Sequence, residues 1–176
     1  MSKAVLISIR PKWCELIASG QKTIEVRKTK PKMETPFKCY IYETHGDEQV
    51  GSDEYTYVKR GNGRGKVVGE FTCDAIFHFF NVCTDPWELL CGSSHANAKH
   101  LIKNCARLSE YELHDYARGQ FCVGWHISDL VIYDEPKELG EFRSWNTGVV
   151  FKDGYPMPTH EVKRPPQSWM YVEELT

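Results

Sequence analysis

The chain has 176 residues and a formal net charge of −2. That length builds a core of ordinary size without a disulfide or metal staple. With 41% apolar and 26% charged residues, long disorder, collagen and coiled coil are excluded. No stretch approaches the ~18 apolar residues of a membrane span. The first apolar run, residues 4–9, holds Ser8, stops at Arg10 and is too short for a secretory signal.

Residues 4–9 (AVLISI) read as a strand, with Val5, Ile7 and Ile9 on one face and Leu6, Ser8 and Arg10 on the other. Pro11 suits a first helical position, and Gly20 suits a left-handed cap. Residues 11–19 are therefore a short helix with Trp13, Leu16 and Ile17 as its stripe. Residues 23–28 follow as a strand that turns Ile24 and Val26 inward and puts Thr23, Glu25 and Arg27 on the opposite face. Residues 37–42 are a third strand. Residues 43–66 are polar and glycine-rich, a long loop or a hairpin with a mobile tip. Residues 66–77 resume alternation as one long strand, with Gly69 marking a bulge or bend. Asp85, Pro86 and Glu88 carry helix-start signals. Residues 94–105 predict a second helix, and Ser109 to Glu112 a capping box opening a third, closed by Gly119. In residues 121–134 the apolar positions shift from odd to even near Ser128 and Asp129, which predicts a bulge within a long strand. Residues 136–142 are a short turn or helix, residues 143–163 a loop, and residues 169–172 a closing strand. Together these elements predict one α+β domain, built as a small, partly open β-barrel with short flanking helices.

Charge is uneven along the chain. Residues 1–38 hold nine Lys or Arg against three acids, and the remainder holds 13 against 21. This allows a local anion-binding face on an acidic surface. Its densest chemistry is Ser8-x-Arg10-Pro11, then Gly20-x-Lys22-Thr23-x-Glu25-x-Arg27. The helix between them turns Lys22 and Thr23 back toward Ser8 and Arg10. Two readings stand: a solvated Glu–Arg ladder on a surface strand, or a site. Arg10 and Arg27 offer planar forks to a phosphate, and Lys22 a point charge. Glu25 can accept from a base amino group or orient Arg27.

The pattern S-x-R-P…G-x-K-T-x-E-x-R resembles the signature of ASCH domains, which have a PUA-like β-barrel fold. The segments 124–130 (GWHISDL) and 164–169 (RPPQSW) resemble a bacterial and phage-borne branch of that family. The resemblance implies a barrel of five to six mostly antiparallel strands, one domain over residues 1–176, with 43–66 and 143–163 as peripheral insertions. It also implies a basic cleft between the first helix and the barrel that binds RNA or a nucleotide-like ligand through Ser8, Arg10, Lys22, Thr23, Glu25, Arg27 and His126. Some members are hydrolases acting on acetylcytidine or RNA. The amidohydrolase motif is similar to G-x-K-T-x-T-x-R; its lysine falls on Lys22, but its nucleophilic second threonine falls on Glu25. A carboxylate can act as a base there and cannot act as an alkoxide nucleophile. The residues thus favour binding over catalysis. If the chain is a hydrolase of RNA or a modified nucleoside, Lys22 and Glu25 are its acid–base pair.

Other candidates are weaker. Lys59, Arg60, Arg64 and Lys66 surround three glycines and make either a hairpin tip or an accessory nucleic-acid contact. Trp125 reads as core. His126, on the other face beside Ser128, lines the cleft or is a satisfied surface histidine. Tyr116 and Arg118 could stand at the same mouth. Cys83, Cys91, His95, His100 and Cys105 are zinc-type residues in a C-x7-C-x3-H-x4-H-x4-C spacing that lacks the tight knuckles of structural zinc. No metal and no cofactor is expected. The seven cysteines, with Cys14, Cys39, Cys73 and Cys122 completing the set, form no C-x-x-C pair and read as reduced thiols of a cytoplasmic protein. The expected partner is RNA or a nucleotide-like ligand, with no membrane, no identified protein partner, and a monomeric or weakly dimeric state.

Overall fold

A β-branched apolar run buried on both faces belongs in the middle of a sheet, and β1 (Lys3–Ile9) shows this in every residue from Ala4 to Ile9. The fold is described from a computed structural model that covers residues 2–52, 55–82, 88–91, 95–119, 121–145, 152–154 and 159–175. After β1 come α1 (Pro11–Ala18), β2 (Ile24–Arg27) and β3 (Phe37–Glu43). The hairpin of β4 (Asp47–Ser52) and β5 (Tyr55–Arg60) precedes β6 (Val67–Cys73), β7 (Ile76–Val82) and β8 (Glu88–Cys91). Next are α2 (His95–His100), a π-helical turn (Leu101–Cys105) and α3 (Glu110–Ala117). The chain ends with β9 (Cys122–His126), β10 (Ser128–Lys137), a 3-10 turn (Leu139–Glu141) and β11 (Trp169–Glu173).

The α+β class holds, and the barrel does not close. One open sheet has the order β10-β6-β3-β1-β11, a second β2-β9-β7-β8, and β4-β5 stands alone. The reason lies at two chain breaks. The single strand expected over residues 66–77 divides into β6 and β7, and that over 121–134 into β9 and β10. At each break the chain passes from one sheet to the other instead of bending a continuous stave. The second break, at Ile127, stands where a bulge within one strand was expected near Ser128 and Asp129, and Asp129 takes a left-handed φ of 46°. Five to six strands was an undercount, and the β1–β3 pair is parallel.

Two compact units result, one of residues 1–14, 38–70 and 131–176, the other of residues 15–37 and 71–130. The core of the first gathers Ala4, Leu6, Tyr40, Tyr42, Val67, Phe142, Val162 and Val172. Gly69 is a glycine because β10 passes close: a Cβ there would lie 2.5 Å from the Val131 carbonyl oxygen. In the second unit Ile24, Val26, Phe79 and Cys122 pack against Ala98, Ile102, Ala106, Leu113 and Ala117 from the helical segment. The capping box at Ser109 is present, and Arg118, at φ 48°, closes α3 one residue before the expected Gly119. The predicted second helix splits into α2 and the π-helical turn. Of the helix start near residue 85, residues 83–87 lie outside the described residues and Glu88 opens β8, a strand. Of the loop expected over residues 143–163, residues 146–151 and 155–158 also lie outside them. Cys14, Cys39, Cys73, Cys105 and Cys122 are free thiols, and burial pushes that of Cys73 up to about 12. Among the described residues no group of metal-ligating side chains occurs, and no helix is long and apolar enough to cross a membrane.

Candidate functional site

The G-x-K-T-x-E-x-R stretch covers the turn after α1 and all of β2. Gly20 takes a φ of 71°, a conformation cheap only for glycine, and donates its N–H to Ile17 O at 2.9 Å. Lys22 N–H donates to Leu16 O at 2.9 Å, so the chain reverses directly off the helix.

Three consecutive residues at the end of the π-helical turn, Cys105 to Arg107, hold three consecutive residues of this stretch. Arg107 Nε donates to Gln21 O at 2.8 Å. Lys22 Nζ donates to Ala106 O at 2.7 Å. Thr23 N–H donates to Cys105 O at 2.8 Å. These carbonyls end a helix, where four acceptors have no partner within the helix. The π-type bond, from Ala106 N–H to Leu101 O at 2.7 Å, closes the turn just before them.

Lys22, Glu25 and Arg27 form a buried ionic trio. Lys22 Nζ lies 3.4 Å from Glu25 Oε2, and Arg27 Nη2 lies 3.0 Å from Glu25 Oε1. Their side chains are 2%, 8% and 10% exposed in that order. The solvated ladder is therefore not what forms. Register explains the burial. Glu25 pairs with Trp125, and Arg27 with Val123, so both charged side chains share a sheet face with a fully buried indole. That indole packs edge-on against Phe37 at 5.8 Å. Glu25 Oε2 makes no aligned hydrogen bond and rests on the Lys22 ion pair. Burial lowers the Lys22 pKa, and Glu25 partly restores it. Two cations around one carboxylate leave the cluster with a surplus positive charge when Lys22 is protonated.

At its edge Lys28 is exposed, with Nζ 5.5 Å from the Tyr116 ring centre. Burial pushes the Tyr116 phenol up; the Arg27 cation pulls it down and the Glu25 carboxylate raises it, so both charges are felt at α3. Thr23 is half-buried and anchored by its backbone, its carbonyl accepting from Ile127 N–H at 2.9 Å.

The remaining predicted residues have partners of their own. His126 pairs with Ile24 in register, which turns it to the sheet face opposite Glu25. There its Nδ1 lies 2.6 Å from Asp74 Oδ1, and its ring meets Phe77 edge-on. Ser8 lies in the first unit, where its hydroxyl donates to Pro166 O at 2.7 Å and its N–H to Ser168 O at 2.9 Å. The S-x-R-P and R-P-P-Q-S-W segments therefore tie to each other. Arg10 is exposed, and its carbonyl accepts the first N–H groups of α1.

The glycine run is not the tip of the hairpin, because it follows Lys59 and Arg60 at the far end of β5, where Arg60 pairs with Asp47. Three of its amides are already committed: Gly61 N–H to Gly46 O, Gly63 N–H to His45 O at 2.9 Å, and Arg64 N–H to Glu43 Oε1 at 2.9 Å. Lys66 pairs with Glu138 at 2.6 Å. Of the zinc-type residues, Cys83 lies outside the described residues, and Cys105 contributes its carbonyl.

A family model described as the ASCH domain matches residues 7–138. Its span includes the whole trio and parts of both units. Among solved structures the fold is similar to ASCH from Zymomonas mobilis, at 19% identity and a TM-score of 0.58, covering 97% of this chain and 88% of that one. A Tyr-to-Phe variant of the same protein matches at 20% identity and a TM-score of 0.58, covering 98% and 92%. Among curated proteins none matches.

Proposed function

The chain belongs to the ASCH domain family, and from that premise we propose that it binds RNA or a nucleotide-like ligand at the Lys22–Glu25–Arg27 trio, with Lys28 and Tyr116 at its edge. One observation carries the reading: two cations bracket a single buried carboxylate at 3.0 and 3.4 Å. Burying ions costs several kcal/mol each, roughly, and gives stability little that apolar packing would not. A preorganised surplus of positive charge in a low-dielectric setting is what a phosphate recognises. Arg27 supplies a planar fork, Lys28 an exposed cation, and Tyr116 a ring on which a base can stack.

The test is fluorescence anisotropy of labelled single-stranded RNA, double-stranded RNA and single-stranded DNA at about 50 and 200 mM salt. Arg27→Lys and Lys28→Gln run beside wild type. Salt-sensitive RNA binding that Arg27→Lys weakens, and whose salt slope Lys28→Gln reduces, supports the reading. Binding that ignores both substitutions overturns it.

A second reading rests on a different property of the same residues. Burial lowers the Lys22 pKa beside a carboxylate, and a lysine so placed can take and return a proton. In that reading the chain hydrolyses RNA or a modified nucleoside, with Lys22 and Glu25 as the acid–base pair. Gel analysis of each binding sample reads it directly. Turnover that survives both Lys22→Met and Glu25→Gln excludes this pair.

A further inference from the structure

The second unit also contains a groove of about 670 Å³, whose lining includes Lys99, Lys103, Arg107, Ile102, Leu108 and Glu110. That volume is within the range of ~300–1,000 Å³ typical of ligand sites. Three cations face one acid. Lys103 has no hydrogen bond or ion pair among the described residues. Lys99 reaches Glu110 only at 3.8 Å, with both side chains about half exposed, so the pair yields readily to a competing anion. Arg107 spends Nε on Gln21 O, and its two terminal nitrogens make no hydrogen bond or ion pair among the described residues. Its backbone sits at a φ of 57°, a strained setting for a side chain with a Cβ. The Nε bond thus fixes the fork while leaving its phosphate-binding edge uncommitted. Ile102 and Leu108 give the groove an apolar wall.

We propose that this groove carries the sugar–phosphate backbone of a single-stranded RNA. Phosphodiesters lie at Lys103 and Arg107, Lys99 turns from Glu110 toward the strand, and a ribose or base edge rests on Leu108. The proposal builds on the reading of the trio, and it extends the RNA contact past it. The two sites meet at one segment: Ala106 O holds Lys22, and Arg107 enters the groove. Residues 106–107 thus connect the two sites along the chain.

The experiment uses the full chain and the exposed pair Lys99→Gln/Lys103→Gln, which leaves the 105–107 contacts intact. Thermal melting confirms that the variant folds. Anisotropy is read with labelled RNAs of about three and about twelve nucleotides. Each single-strand phosphate contact adds about 0.7 to the salt slope, so losing two shrinks the fall in affinity between about 50 and 200 mM salt by about sevenfold. The expected result is that loss for the longer RNA and none for the shorter. Wild-type affinity and slope for the longer RNA in the double variant overturn the groove and leave the trio standing. Loss in the double variant with no effect of Arg27→Lys or Lys28→Gln does the reverse. A wild type that binds neither RNA overturns both. Polyglutamate competing as well as unlabelled RNA marks an acidic protein partner and also overturns the proposal.

Discussion

Removing the charge of Glu25 tests whether the trio is as buried as its geometry states. In Glu25→Gln the two cations, 2% and 10% exposed, are left facing an amide that offers one acceptor and one donor group. Breaking a buried ion pair from one side costs about 3–5 kcal/mol, because the surviving charges keep their desolvation cost and lose their partner. Lys22 has one escape, which is to release its proton. Its pKa in the folded chain already lies below 10.5 through burial, and Glu25 is what keeps it from falling further. Between the folded and unfolded pKa values the unfolded chain binds more protons, so stability rises with pH across that window. In Glu25→Gln the window extends to lower pH, and the deficit shrinks as pH climbs toward 10.5. Urea unfolding followed by far-ultraviolet circular dichroism, at neutral pH and again near pH 9, reads both effects. Adding Lys22→Met should recover much of the loss, since it removes the orphaned ammonium. A neutral-pH loss under about 1 kcal/mol would fit an exposed pair and refute the argument. So would a double variant no more stable than Glu25→Gln alone.

Three further outcomes follow from the same geometry. In Gly124→Ala the new Cβ would meet Ile24 Cγ2 and Phe79 Cε2 at 2.7 Å; overpacking there should cost about 1–3 kcal/mol in urea unfolding. Ser109→Ala removes the acceptor of the Glu112 N–H at the start of α3, and a loss of about 1 kcal/mol is expected by the same assay. Burial acts to raise the Glu70 carboxyl, but hydrogen bonds from Lys38 and Tyr133 hold it below 4.5. Its contribution is present above that value and lost as pH falls through the folded pKa, so Glu70→Gln should flatten the acid limb of a stability–pH profile.

Local signals were legible wherever the backbone itself was the constraint. Gly20 marked the end of α1, Ser109 the start of α3, and the phase change near Asp129 the break between β9 and β10. Membership of sheets was less legible. Two apolar strands with alternating patterns look the same whether a break bends one sheet or hands the chain to another, so residues 66–77 read as one stave. Burial of β2 was hidden for a related reason. Thr23, Glu25 and Arg27 alternate as a solvated face would, and only the register against Trp125 shows that this face is covered. The pairing of His126 with Ile24 carried no signal in sequence either. The main-chain partner of Lys22, unlike its ion pair with Glu25, could not have been read at all, because Ala106 contributes a carbonyl and every residue has one.

That carbonyl is the link between fold and site. Ending in a π-type bond, the helical segment sends Ala106 N–H to Leu101 O and Leu108 N–H to Ile102 O at 3.0 Å. The carbonyls of Cys105 and Ala106 are left at the negative end of the helix, where a cation is favoured. One takes the Thr23 amide and the other the Lys22 ammonium. Burial works against the charge on Lys22, while this helix end and Glu25 work for it. A lysine balanced in this way is sensitive to any third charge placed beside it. A phosphate would add to the side that favours the proton, so ligand binding should strengthen the ammonium contacts to Ala106 and Glu25. Stability contributed by those contacts would then appear on binding rather than in the free chain. On the proposed reading, the costly burial of Glu25 and Arg27 in β2, and of Lys22 two residues before it, serves ligand binding rather than folding.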